Sequence, residues 1–232
     1  MAKTYKVKEV FLTLQGEGHH SGSVAVFVRF TGCNVWSGKQ EDRNRDAEKG
    51  ICARWCDTDF VGTDGALGGK YTAKELTDVV MGLWVKNSEE GSEEPPERLY
   101  GPPLVVFTGG EPALQLDAEL VKAMKSEGCQ LHVETNGSRE LPEGLDWVVL
   151  SPKPPMKVIV QPYHEVKVVY DGSPGTADPK EWETFASERF VQPTDCQHPS
   201  RKAFHVKVCL AFIRDNPAWR LSLQTHKILG VP

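Results

Sequence analysis

The sequence predicts an α/β fold built on a mainly parallel sheet, layered or partly closed as a barrel. Apolar, β-branched segments recur along the 232 residues, and helical patterns with their own start and stop signals lie between several of them. Several of the apolar segments also end in polar or glycine-containing turns, where α/β sheets bind ligands. The length suits one large domain, or one with insertions, and can bury a sizeable core without staples.

The predicted strands are Val7–Leu14, Val24–Phe30, Leu104–Phe107, Leu131–Val133, Trp147–Leu150, Val166–Tyr170 and Ala203–Phe212. Thr72 opens TAKE, a capping box in which the Thr72 hydroxyl and the Glu75 carboxylate satisfy each other's free backbone amides. Behind it Leu76, Val79, Val80 and Leu83 share one helical face. A second helix is predicted near Leu116–Ser126, with Leu120, Val121 and Met124 apolar and Gly128 as its stop. No internal repeat is evident.

Two polar segments interrupt this order. Residues 87–103, NSEEGSEEPPERLYGPP, have the composition of a solvated surface loop. Lys39–Lys49 is almost wholly polar, with Glu41 and Arg45 at i,i+4 and Gly50 as a stop. It reads as a short exposed helix or loop, an insertion over 39–50 in one domain spanning 1–232.

Composition is that of an ordinary soluble protein, with 39% apolar and 25% charged residues. The net charge of -5 argues against a broad nucleic-acid surface. No apolar run reaches membrane-spanning length, and MAKTYKVKEVFLTLQGEG reads as a strand rather than a signal peptide. The expectation is a cytoplasmic protein with reduced thiols and neither a membrane nor a nucleic-acid partner. There, clustered cysteines bind metal or do chemistry more often than they pair.

Eighteen residues separate Cys33 from Cys52, and three separate Cys52 from Cys56. Three thiolates would leave a four-iron cluster with one iron open to a small molecule's nitrogen and oxygen. A structural zinc wants four protein ligands, and no fourth Cys or His lies near the trio in sequence. By themselves the cysteines leave cage, zinc site and small apolar residues all open. Cys129, Cys196 and Cys209 are scattered, and Cys129 and Cys209 are expected as buried, inert thiols within or beside strands.

Further along, LVVFTGGEP (Leu104–Pro112) ends a strand in Gly109 and Gly110, where a ligand can approach without meeting a Cβ. HVETNG (His132–Gly137) and VLSPKP (Val149–Pro154) bring Glu134, Ser151 and Lys153 to the same rim as Gly109–Glu111. Glu134 can accept from a ribose or an amine, and Lys153 can hold a carboxylate. Near the N-terminus LQGEG (Leu14–Gly18) follows the first strand, and Arg29 lies in the apolar VAVFVRFTG. A guanidinium there needs an acidic partner, either a ligand carboxylate or Glu17.

In order, FLTLQGEG, VFVRFTGCN, WCDTDFVGTDG, FTGGEPAL, VETNG, LSPK, VQPTD and LSLQTHKILGVP resemble the radical S-adenosylmethionine (SAM) superfamily and, within it, the 7-carboxy-7-deazaguanine synthases. The resemblance implies an incomplete TIM-like barrel with helices outside. It implies that Cys33, Cys52 and Cys56 ligate a 4Fe-4S cluster whose open iron chelates SAM. Gly109, Gly110 and Glu111 would lie along the methionyl group, and Trp55, Asp57, Glu134, Ser151, Pro152, Lys153 and Gln192 would complete that pocket. Thr58 matches a position that offers a ligand to magnesium (Mg2+). Leu14, Gln15, Gly16, Glu17, Arg29, Thr108 and His226 fall where a pterin substrate is expected, and Pro232 would present a terminal carboxylate to it.

The implied activity is conversion of 6-carboxy-5,6,7,8-tetrahydropterin to 7-carboxy-7-deazaguanine in queuosine biosynthesis. A 5′-deoxyadenosyl radical would abstract hydrogen from the pterin, which then contracts its ring and loses ammonia. A flavodoxin-type electron donor and a homodimer belong to the same expectation. The second cysteine interval departs from the family's two residues by one, which displaces Cys52 by a few ångströms unless the turn bulges. Two other readings share parts of the pattern. A glycyl-radical enzyme activase uses the same cofactor on a protein partner, whereas LQGEG, CDTDF and QTHKILGVP favour a small pterin. A thiol or zinc-binding module leaves TGGEP, ETNG and SPK unexplained.

Overall fold

The computed structural model of the chain describes residues 2–85, 99, 101–159, 161–196 and 198–232. Most of the surface loop expected over 87–103 lies outside the described residues; only Leu99 and residues 101–103 of it are described.

Nine strands form one open sheet, in the order β3-β1-β2-β4-β5-β6-β7-β8-β9. β1 (Tyr5–Leu14) pairs antiparallel with both β2 (Val24–Phe30) and β3 (Gly69–Tyr71). From β2 onward every pairing is parallel, through β4 (Leu104–Gly109), β5 (Gln130–Thr135), β6 (Trp147–Leu150), β7 (Glu165–Tyr170), β8 (Glu188–Pro193) and β9 (Arg220–Leu221). The sheet curls without closing, as expected for an incomplete barrel. Its central strands are continuous apolar runs because both faces are covered. In β4, Leu104, Val105, Val106 and Phe107 are all buried.

The helices α2 (Ala73–Leu83), α3 (Ala118–Ser126) and α4 (Pro199–Asp215) pack against the sheet. The capping box forms at the start of α2: Glu75 N donates to Thr72 Oγ1 at 3.3 Å, and Thr72 N donates to Glu75 Oε2 at 2.8 Å. Leu76 and Val80 are buried on the predicted face, with Val79 and Leu83 half-buried beside them. α3 ends as expected at Gly128, whose φ of 80° is left-handed.

Ala203–Phe212 was expected as a strand but lies inside α4. Its sequence alternates enough to mimic a strand, yet the buried positions, His205 and Cys209, are one helical turn apart. Pro199 occupies the first turn, where its missing N–H costs nothing. Cys209 is therefore a buried helical thiol rather than a strand one. The strand β8, which carries Gln192, was not anticipated.

The insertion folds as a 3-10 turn, Gln40–Asp42, running into α1 (Arg43–Asp46). The expected Glu41–Arg45 pair does not form. Arg45 instead meets Asp42 at 2.8 Å and Asp46 at 3.1 Å, because Asp46 is buried and needs the charge. The insertion is thus anchored through Asp46, which also accepts from Ser37 N at 2.9 Å.

Candidate functional site

The carboxyl ends of β2, β4, β5 and β6 converge on one rim. There the chain after β2 carries the cysteines into a small apolar core of Val35, Trp36, Ala47, Ala53 and Phe60, separate from the main one. Ile51–Arg54 forms a 3-10 turn, and Cys56 N donates to Cys52 O at 2.7 Å. That i to i+4 bond closes a turn across the extra residue and draws the Cys56 backbone back to that of Cys52.

Arg43, from the inserted segment, holds this turn. Its Nη1 donates to Ala53 O at 2.7 Å and its Nη2 to Cys56 O at 3.0 Å, while its guanidinium stacks 4.1 Å from the Trp36 ring centroid. The insertion is therefore a buttress for the cysteine turn and more than an exposed excursion.

Gly109 and Gly110 line the cavity and also serve a structural role that the sequence did not show. A Cβ at Gly109 would strike the Phe30 backbone, and one at Gly110 would strike Gly32 O and Cys33 Cβ. Gly109 also has a φ of 140°. The pair lets the end of β4 press against the segment leading into Cys33, and Glu111 N donates to Gly32 O at 2.9 Å. The Glu111 carboxylate, buried to 1% exposure, faces β5. It accepts from Thr135 Oγ1 at 2.6 Å, Asn136 N at 2.7 Å and Ala113 N at 3.0 Å. Burial raises its pKa in spite of these donors. GGEP and ETNG are thereby latched together.

A cavity of about 400 Å³ opens onto this rim. Its lining includes Cys33, Cys52, Cys56, Trp55, Asp57, Thr58, Thr108, Gly109, Gly110, Glu111, Glu134, Ser151 and Lys153. It also includes Leu14, Gln15, Glu17, Arg29, Gln192, His226 and Pro232. Of the residues singled out from sequence, Gly16 and Pro152 do not line it. Gly16 lies under His226, where any Cβ would collide with the ring, and its carbonyl caps α5 (Thr225–Leu229) through Thr225 N at 3.0 Å. Pro152 is buried between Ser151 and Lys153, whose side chains bond to each other.

Arg29 has an acidic partner, but Glu9 rather than Glu17. The β1–β2 register sets Glu9 opposite Arg29, and Arg29 Nε meets Glu9 Oε1 at 2.7 Å. Among the described residues the Nη atoms of Arg29 make no hydrogen bond, so its outer edge is available to a ligand carboxylate. Glu17 instead pairs with Lys167 Nζ at 2.6 Å, and its Oε1 accepts from Gln192 Nε2 at 3.1 Å and Gln224 Nε2 at 2.9 Å. Burial alone would raise the Glu17 carboxyl, but the Lys167 ammonium and these donors bring it down to about 2. Gln192 is thus taken up by Glu17 and by Ser222, which donates to its Oε1 at 2.8 Å.

Thr58 lies on the wall between two aspartates that lysines hold. Asp57 meets Lys227 at 2.6 Å, and Asp59 meets Lys8 at 2.8 Å. Lys8, Glu9, Lys167 and Gln224 were not anticipated. For Lys167 a signal existed: a charge inside the buried strand EVKVVY demands a partner as much as Arg29 did.

The donor set fits a 4Fe-4S cluster. Three thiols share the cavity, and Val35 N approaches Cys33 Sγ at 3.4 Å, an N–H to sulfur contact of the kind that tunes such clusters. Burial, with Glu111 and Cys56 adding to it, raises Cys33, and burial with the other two thiols pushes Cys52 up to about 12. A thiolate there calls for a bound cation. Among the described residues no three His, Cys, Asp or Glu side chains converge closely enough to share a single metal ion. No helix among the described residues is long and apolar enough to cross a membrane.

No protein-family model matches the chain. It is 44% identical over 231 residues to the 7-carboxy-7-deazaguanine synthase of Bradyrhizobium diazoefficiens, covering 98% of this chain and 99% of that protein. It is 45% identical over 231 residues to the enzyme of that name from Caulobacter vibrioides, covering 99% and 100%. Among solved structures it resembles QueE from Escherichia coli, with a TM-score of 0.61 at 23% identity over 95% of this chain and 93% of that one. At that identity the structural likeness speaks to the fold alone.

Proposed function

The chain belongs to the 7-carboxy-7-deazaguanine synthase family, and from that premise we propose that it converts 6-carboxy-5,6,7,8-tetrahydropterin to 7-carboxy-7-deazaguanine with loss of ammonia. The observation that carries the reading is the convergence of the three cysteines, the Gly109–Gly110 turn and the Glu17–Arg29–His226 group on one cavity. A 4Fe-4S cluster with SAM supplies the one-electron chemistry when bound.

Cys33, Cys52 and Cys56 hold the cluster. Glu134, Ser151 and Lys153, with Trp55, Asp57 and the Gly109–Glu111 backbone, take SAM. Arg29, fixed through Nε by Glu9, offers its Nη edge to the pterin carboxylate as a fork. Glu17 and His226, with Leu14, Gln15, Thr108 and Pro232, line the substrate half. Thr58 gives Mg2+ a hydroxyl ligand, with waters and substrate oxygens completing the shell. A flavodoxin-type donor, a homodimer and a cytoplasmic location complete the proposal, and the whole chain acts as one domain.

Anaerobic reconstitution tests it. The protein should hold about four irons and four sulfides per chain. With SAM and a strong reductant it should form 7-carboxy-7-deazaguanine, faster with Mg2+ than without. Deuterium placed on the pterin should appear in deoxyadenosine. An intact cluster that yields no ring-contracted product would overturn the substrate assignment.

A further inference from the structure

Lys167 is buried in the middle of β7, with 4% of its side chain exposed. Strand alternation turns Lys167 and Val169 toward the cavity, and both line it. Its ammonium lies 2.6 Å from Glu17, on the β1–β2 hairpin, and 2.9 Å from Glu134, at the end of β5. One cation therefore bridges two carboxylates from distant parts of the chain. The two are supported unequally. Glu17 also accepts from Gln192 and Gln224, whereas Glu134 has Lys167 as its one donor among the described residues.

Other titratable groups face this cluster from each surrounding element. Glu165 lies on β7 itself, where its Oε2 accepts from Trp147 Nε1 at 3.2 Å and His19 N at 3.1 Å. His20 from the hairpin and His132 from β5 line a small cavity beneath, together with Glu17, Glu134 and Glu165. His226 approaches Glu17 from α5. Three carboxylates thus surround one ammonium, and burial together with Glu17 and Glu165 raises Glu134 above the ordinary carboxylate range.

We propose that Lys167 is a positioning residue for the reaction: it is the shared counter-ion that keeps Glu134 ionised and aimed at the SAM half while tethering Glu17 in the pterin half. The roles of the two halves rest on the carboxydeazaguanine synthase reading; the charge arrangement does not. Without Lys167, Glu134 loses its donor and faces two like charges, so it takes up a proton and can accept from a ribose hydroxyl only through its weaker neutral carbonyl oxygen.

The test compares wild type with Lys167→Met, Lys167→Arg and the double variant Lys167→Met/Glu134→Gln, each as the full chain. Carbon-13 NMR titration of glutamate carboxyls reads the charge state without turnover. Both partners should titrate higher in Lys167→Met than in wild type: Glu17, which loses the ammonium that holds it down, and Glu134, by at least about one pH unit. The Glu134 signal should vanish in the double variant while the Glu17 shift remains, and Lys167→Arg should match wild type. In the reconstituted enzyme, Lys167→Met should raise the KM for SAM by roughly ten-fold or more near neutral pH, with recovery at higher pH.

A Glu134 titration that does not shift in Lys167→Met, or a second shifted carboxyl besides Glu17 that survives in the double variant, overturns the proposal. If Lys167→Met does not fold, the double variant, relieved of the like-charge conflict, should fold; equal failure of both makes Lys167 merely structural and overturns the proposal too. A wild-type enzyme that forms no product defeats the functional reading, and the NMR titration still decides the charge arrangement.

Discussion

Arg43 Nη2 donates to the carbonyl oxygen of Cys56 at 3.0 Å, so a residue from the inserted segment sets the backbone of a cluster ligand. The same guanidinium reaches Ala53 O and rests on Trp36. Replacing Arg43 with Met keeps much of the stacking but strands two carbonyls, at about 1–3 kcal/mol. Iron retained per chain after reconstitution and gel filtration should fall several-fold, with far-UV circular dichroism unchanged.

Gly110→Ala places a methyl group against the Gly32 carbonyl and Cys33 Cβ. The segment leading into Cys33 has to move, at a cost of about 1–3 kcal/mol. A lower melting temperature and a smaller iron content should appear together. Gly128→Ala, which meets open space and carries only the left-handed φ, should lower stability without lowering iron content.

Glu17 gives a pH signature. Its folded pKa, about 2, lies below that of an unfolded glutamate, near 4.3. The stability it contributes is therefore full above the unfolded value and is lost as pH falls toward 2. Glu17→Gln should be less stable than wild type at pH 7, by roughly 1–3 kcal/mol. The gap should narrow as pH drops below about 4.3 toward 2, where wild type too is protonated. Denaturant unfolding across that range reads it.

Arg29→Lys retains charge but loses the planar fork that serves Glu9 with Nε and a ligand with its Nη edge. The predicted loss in kcat/KM for the pterin is roughly ten- to a hundred-fold, with the KM for SAM little changed. Equal losses for both would remove Arg29 from the substrate half.

Much of this was legible in the sequence because it is local. β2 and β6 have the bounds their apolar runs predict, and the Thr72 capping box forms as TAKE requires. The cysteines, the glycine turn and LQGEG also reach one cavity, since strand ends in a parallel sheet share a rim. What stayed hidden depends on pairing across distance. Glu9 rather than Glu17 meets Arg29 because of strand register, which composition does not encode. Lys167 and Arg43 acquire their partners only once the barrel brings them within reach. α4 was misread because a short apolar run alternates and turns at once, and only its burial separates the two periods.

The single turn that carries Cys52 and Cys56 has a wider implication for how such ligand sets diversify. On a helical turn, residues three and four apart both project from the same face. An insertion or deletion of one residue there changes the written motif while leaving the thiols neighbours. Distance along the chain and distance in space become separable quantities at this position, and natural variation in the one need carry no penalty in the other. The tolerance belongs to the backbone hydrogen bond from Cys56 N to Cys52 O, and it should extend to other ligand pairs mounted on one turn of helix.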